Sequence, residues 1–165
     1  MKRVFKNAKS LKESLPPEKT FSLTAGCFDL LHVNHMHHFE HVKRFEDLLV
    51  VAVLSDEKIK NYKGGGRPII PQNQRAEMLS CIRFVDFVFI ANRDPIGEKT
   101  IKLLEPNSVV FTDEEGTSQK VEKWSDDIKT WSPSTTVRII PYKDEHDIST
   151  TQIIEKIQSK SAKAP

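Results

Sequence analysis

The sequence predicts an α/β protein built on an open, mostly parallel five-stranded sheet with helices on both faces. Short runs of Val, Ile, Leu and Phe recur with little alternation, as strands covered on both faces do, and helix-patterned segments separate them. The chain has 165 residues, 38% hydrophobic and 29% charged, which suits one core and not two.

The strand runs are FSLTA (21–25), LLVVAVL (48–54), VDFVFIA (85–91), SVVF (108–111) and TTVRIIPY (135–142). Helical segments are read at roughly 33–46, 72–83, 97–104 and 117–130, and a last one, STTQIIEKIQ, opens with Ser149 and Gln152 at capping-box spacing. Strand and helix alternate throughout, so right-handed crossovers wind them into a doubly wound, Rossmann-like sheet. In such sheets ligands sit beyond the carboxyl ends of the strands, which makes the residues after each strand the site candidates. The expected boundaries are an N-terminal extension over 1–19, the folded domain over 20–158 and a flexible tail over 159–165, where apolar periodicity stops.

The 25 basic and 23 acidic residues are interspersed, so no extended surface for nucleic acid is expected. Two cysteines, Cys27 and Cys81, lack CxxC spacing and point to a reducing compartment. The basic N-terminus lacks a following apolar run, and LLVVAVL is far short of the ~20 residues a membrane helix needs. A soluble, cytoplasmic protein without membrane contact is expected.

Five of the six histidines lie in HVNHMHHFEH, residues 32–41, with His32, His35, His38 and His41 at intervals of three. Each step of three on an α-helix falls about 60° short of a full turn, so His41 faces away from His32 and the ladder cannot converge on one metal. His37 and His41 share a face, but a third ligand and an HExxH arrangement are missing; no metal site is assigned, and His37, His38 and His41 are expected at the surface or its boundary. His32 and His35 fall where the first strand gives way to a helix, where free N–H groups and the helix dipole favour an anion. On geometry alone, phosphate binding and a structural helix start are equally good readings of that pair.

GCFDLLHVNH (26–35) resembles the GxFDxxHxGH signature of the cytidylyltransferase-like nucleotidyltransferases. KGGGRPIIPQNQRAEML (63–79) is similar to the family segment supplying a Lys and a helical Arg, and ISTTQIIEKI (148–157) to its closing ISTT motif. GRPIIP and the ISTT ending look most like the ADP-heptose-forming adenylyltransferases, whereas RFVD (83–86) is closer to the CTP-using phosphocholine, phosphoethanolamine and glycerol-phosphate enzymes.

The resemblance implies transfer of a nucleotidyl group from a nucleoside triphosphate, ATP ahead of CTP, to the phosphate of a small phosphorylated acceptor, a sugar phosphate or a headgroup or polyol phosphate. Pyrophosphate leaves, and Mg2+ accompanies the triphosphate. By motif position His32, His35 and Lys63 would be the catalytic set. Gly26, Cys27, Phe28, Asn34, Arg75, Ser149, Thr150 and Thr151 would bind the nucleotide, Arg75 through the β- or γ-phosphate. Ser149 is equally a good N-cap, Arg75 an exposed helix residue and Lys63 a loop charge. Asp29 is read as a cap for the first helix, and Cys27 has no evident base to make it a nucleophile. The resemblance also implies a homodimer.

Three departures stand out. Asn34 replaces the family glycine, whose absence of a side chain allows unusual φ or close approach by the nucleotide. FTDEEG (111–116) replaces a basic, glycine-rich loop, so Asp113, Glu114 and Glu115 would repel a strongly anionic acceptor if they faced the site; otherwise Thr112 caps the next helix and the acids complement its dipole. DEHD (144–147), with His146, stands where glycerol-phosphate-type enzymes carry an Arg. Asn34 and the acidic run motivate a rival reading, a regulatory or structural nucleotide-binding protein of the same fold without turnover.

Overall fold

A computed structural model describes residues 3–113, 118–141 and 148–161. The elements run β1 (Val4–Phe5), α1 (Ala8–Lys12), β2 (Phe21–Gly26), α2 (Val33–Val42), β3 (Leu48–Leu54), α3 (Asp56–Lys63), α4 (Gln72–Ser80), β4 (Phe87–Ala91), α5 (Glu98–Leu104), β5 (Ser108–Asp113), α6 (Ser118–Trp131), β6 (Thr136–Pro141) and α7 (Thr150–Ser161). The strands form one sheet in the order β1-β4-β3-β2-β5-β6, and every pairing is parallel.

The expected class holds, with six strands in place of five. The sixth is β1, whose two residues pair as Val4↔Val88 and Phe5↔Phe89 and are too few for a sequence pattern to show. Helix α3 was likewise not legible, because DEKIKNYK buries only Ile59; it is started by Ser55, whose hydroxyl accepts from the Lys58 N–H at 3.3 Å. The segment before residue 20 supplies β1 and α1, and α7 continues to Ser161.

Period-2 alternation divides the core. Val50 and Ala52 of β3 with Phe87 and Phe89 of β4 face Leu11 of α1, Ile101 of α5 and Ile128 of α6. Leu49, Val51 and Val53 with Val88 and Ile90 face Phe39 and Val42 of α2 and Ala76 and Leu79 of α4. Both faces of β3 are therefore buried, which explains its unbroken apolar run.

The strand order reverses at β2, flanked by β3 and β5. The β2–β3 ladder runs the full length of β2, while β2 and β5 pair only at Ser22↔Ser108 and Leu23↔Val109. The two strands separate toward their carboxyl ends, and the crevice so opened is the topological switch point where open α/β sheets bind ligands.

Candidate active site

Beyond β2 the chain turns sharply at Phe28, which at φ 48° is one of two non-glycine residues with positive φ among the described residues. Such a conformation costs an L-residue roughly 1–2 kcal/mol. Packing holds it in place: the Phe28 ring lies 5.4 Å from His35 and 5.2 Å from Phe39. Gly26 makes room for that ring, since a Cβ there would lie 2.8 Å from Phe28 Cζ. The need for a small residue at 26 thus comes from Phe28.

His32 is the N-cap of α2, with extended backbone, and its N–H donates to His35 Nδ1 at 3.3 Å. The two rings lie 3.9 Å apart, centroid to centroid. Burial and repulsion from His32, His38 and Lys63 push the His35 pKa down to about 3, so the ring is neutral near pH 7. With Nδ1 accepting, the proton of the neutral ring is placed on Nε2, which makes Nε2–H a donor.

The start of α7 meets the start of α2. The Ser149 hydroxyl accepts from the Gln152 N–H at 3.2 Å and caps α7, Thr150 Oγ1 donates to the Leu30 carbonyl at 3.3 Å, and Asn34 Nδ2 donates to the Ile148 carbonyl at 3.1 Å. Thr151 is exposed on the first turn of α7. Asn34 has ordinary helical backbone within α2, so the left-handed conformation considered for it is absent; its side chain is 6% exposed.

Lys63 is exposed at the end of α3, a helix terminus and not the loop expected, and its charge reaches both Cys27 and His35. Burial pushes the Cys27 thiol up, outweighing the Lys63, Arg75 and Arg67 charges. The thiol is therefore protonated, in keeping with no nucleophilic role.

Arg75 lies on the helix expected but is buried. It is 0% exposed, and its guanidinium donates to Ile70 O (2.8 Å), Leu54 O (2.7 Å), Asp56 Oδ1 (2.8 Å) and Cys27 O. Its bonds run inward, joining the ends of β2 and β3 to the 67–70 loop, and it is not an exposed helix residue. Asp29 does not cap α2: its carboxylate accepts from Arg67 Nε at 2.6 Å and from the Ile69 and Ile70 N–H groups at 2.9 Å. Burial pushes that carboxyl up, but the Ile70 and Ile69 N–H groups and Arg67 outweigh it and hold the pKa below the usual aspartate range. The Arg67–Asp29 pair was not anticipated, and the only sequence signal for it is a charge beside proline in GRP.

His38 lies at the boundary, as expected, and is satisfied by two threonines. Its Nε2 lies 3.0 Å from Thr24 Oγ1 and its Nδ1 3.2 Å from Thr112 Oγ1, so the ring plugs the floor of the crevice where β2 and β5 part. Burial, with His41 nearby, pushes its pKa down to about 4. Thr112 belongs to β5 and this contact, and α6 begins only at Ser118, so Thr112 caps no helix. His37 is exposed and the His41 ring lies 5.5 Å from Phe45. The side chain of Asp113, with Glu114, Glu115 and the DEHD run including His146, lies outside the described residues.

A parallel sheet whose order reverses at β2, with the starts of two helices beside the crevice, defines the class of open α/β proteins that hold ligands at a switch point. The chain belongs to the cytidylyltransferase-like family, which it matches over residues 23–156. It is 35% identical over 96% of its length to the bifunctional protein HldE of Geotalea uraniireducens, and 43% identical over 56% of its length to that of Campylobacter fetus. It spans 32% and 20% of those two proteins, so it corresponds to a part of each. The fold is shared with the lipopolysaccharide core biosynthesis protein of Thermoplasma volcanium (TM-score 0.63, 23% identity, 76% of this chain and 99% of that one). It is shared also with pantothenate synthetase of Thermus thermophilus (TM-score 0.68, 15% identity, 96% of this chain and 70% of that one). Among the described residues no helix is long and apolar enough to cross a membrane.

Proposed function

We propose that this chain moves a nucleotidyl group from a nucleoside triphosphate, ATP ahead of CTP, to the phosphate of a small phosphorylated acceptor, with a sugar phosphate the preferred class. An acceptor phosphate oxygen attacks the α-phosphorus, the bond to the bridging oxygen breaks, and pyrophosphate leaves with that electron pair. The observation supporting this most directly is the convergence of the α2 and α7 starts beyond β2, with His32 and His35 at the cap and first turn of α2. The preference for ATP and a sugar phosphate draws on the HldE relatives and the GRPIIP and ISTT segments.

The residues divide the work by position. The triphosphate would lie against the α2 and α7 starts, at the positive ends of two helix dipoles. His35 Nε2–H and the His32 ring would donate to the α-phosphoryl oxygens as charge shifts toward the leaving pyrophosphate, and Lys63 would add positive charge from the rim. A bound polyanion also opposes the burial and repulsion that keep His35 neutral, so nucleotide binding should raise its proton affinity.

Among the described residues no group of three or more His, Cys, Asp or Glu side chains could hold a metal ion, and imidazole suits Mg2+ poorly. Mg2+ would arrive on the triphosphate, held by its oxygens and water, where it would supply positive charge at the phosphates. A homodimer belongs to the same reading, with light scattering as its check.

The deciding experiment crosses ATP and CTP with phosphorylated sugars, polyols and headgroup phosphates and measures pyrophosphate release. Release with a sugar phosphate that His35→Ala abolishes supports the reading; turnover indifferent to His35→Ala sinks the mechanism. Nucleotide binding without release across the whole panel would favour the non-catalytic alternative.

A further inference from the structure

Asn34 stands one residue before His35, where it first reads as an obstruction to the nucleotide. Its location within α2 is ordinary, but the direction of its side chain is informative. Nδ2 reaches across the chain to the carbonyl of Ile148, the residue immediately before the cap of α7, at 3.1 Å, and the side chain is 6% exposed. The second link between these segments, Thr150 Oγ1 to Leu30 O, is longer at 3.3 Å and comes from a half-buried residue. Glycine, as the family motif has it, could make no side-chain bond here.

We propose that Asn34 is a positioning residue that sets the spacing between the starts of α2 and α7 before nucleotide arrives. This rests on the nucleotidyltransferase reading of the same site. Two helix starts bind one polyanion well only when both sets of N–H groups reach it at once, and any freedom in their separation must be lost on binding. The Asn34 bond removes that freedom in the free protein, beside the histidine that faces the reacting phosphate. It acts on nucleotide affinity and leaves the chemistry to His32 and His35. Because it contacts the same two segments in the ground state and the transition state, its loss should appear in KM and not in kcat.

The test compares wild type with Asn34→Ala and Asn34→Gly by two readouts. The first is backbone hydrogen exchange of the free protein at Ile148–Ile153, which needs no turnover. The second is the KM for ATP and the kcat, with thermal unfolding as a control. Both variants are expected to exchange faster at the start of α7 while the sheet stays protected. They should raise KM about three- to tenfold, the worth of one buried hydrogen bond, and leave kcat within about twofold. Unchanged exchange and KM in Asn34→Ala would overturn the proposal. So would a gain in affinity in Asn34→Gly, which would make Asn34 an obstruction, or a fall in kcat with loss of protection throughout, which would make its role generally structural. If wild type releases no pyrophosphate with any acceptor, the reading of the site fails, and the exchange comparison still decides whether Asn34 holds the two helices together.

Discussion

The clasp around Asp29 and Arg75 and the mouth formed by the starts of α2 and α7 both border the end of β2 and use charge in opposite ways. In the clasp, the Arg75 guanidinium makes four inward hydrogen bonds and the Asp29 carboxylate accepts three N–H donors, one from Arg67 and two from the backbone. At the mouth, His35 keeps an imidazole N–H to offer, Thr151 is exposed and Lys63 faces water. A motif residue that is spent internally shapes the site, whereas one with donors in reserve can meet a ligand. Sequence spacing does not separate the two.

The sharpest way to break the comparison is Arg75→Ala. It would strand the part-buried carbonyls of Cys27, Leu54 and Ile70 and the Asp56 carboxylate, and a loss of about 3–5 kcal/mol in unfolding free energy is expected in denaturant melts. If the protein instead stays stable and only nucleotide affinity falls, Arg75 belongs to the mouth. His35→Ala should do the reverse, lowering pyrophosphate release about a hundredfold or more with little change in the melting temperature. Asp29→Ala, which frees the 67–70 loop and leaves Arg67 unneutralised, is expected to cost about 3 kcal/mol in the same melts. Gly26→Ala should cost about 1–3 kcal/mol, because the new methyl meets the Phe28 ring and shifts His35 with it.

A separate effect is in the pH dependence. His35 and His38 have folded pKa values of about 3 and about 4, below the ordinary 6.5. The unfolded chain therefore binds their protons first as pH falls, so their contribution to stability is full above about 6.5 and is lost progressively below it. Asp29, also held below its usual value, adds stability above about 4 that disappears in stronger acid. His38→Gln, which keeps an amide to bridge Thr24 and Thr112, should flatten the decline between pH 6.5 and 4 in thermal melts. An unchanged slope would mean that His38 is not the plug described.

Much of the fold was legible because its causes are local. LLVVAVL is a strand in β3 at the bounds expected, and the helix at 149–158 is α7, begun by the Ser149 cap. β1 escaped because two residues have no periodicity, and α3 because its neighbours bury only one of its side chains. The candidate site was legible as a list of residue types at motif spacing. What each side chain does with its donors was not, since the partners of Asp29, Asn34, His38 and Arg75 come from other segments of the chain.

By itself the sequence determined the parallel α/β class, the bounds of β3 and the Ser149 start of α7, because hydrophobic period and capping chemistry are properties of neighbouring residues. Tertiary structure alone decided that the Phe28 ring packs where a Cβ on residue 26 would lie, that Arg75 points inward, and that Asn34 reaches Ile148. Those outcomes depend on which distant backbone groups are brought within hydrogen-bond or contact distance when β2, β3 and α7 assemble around the crevice.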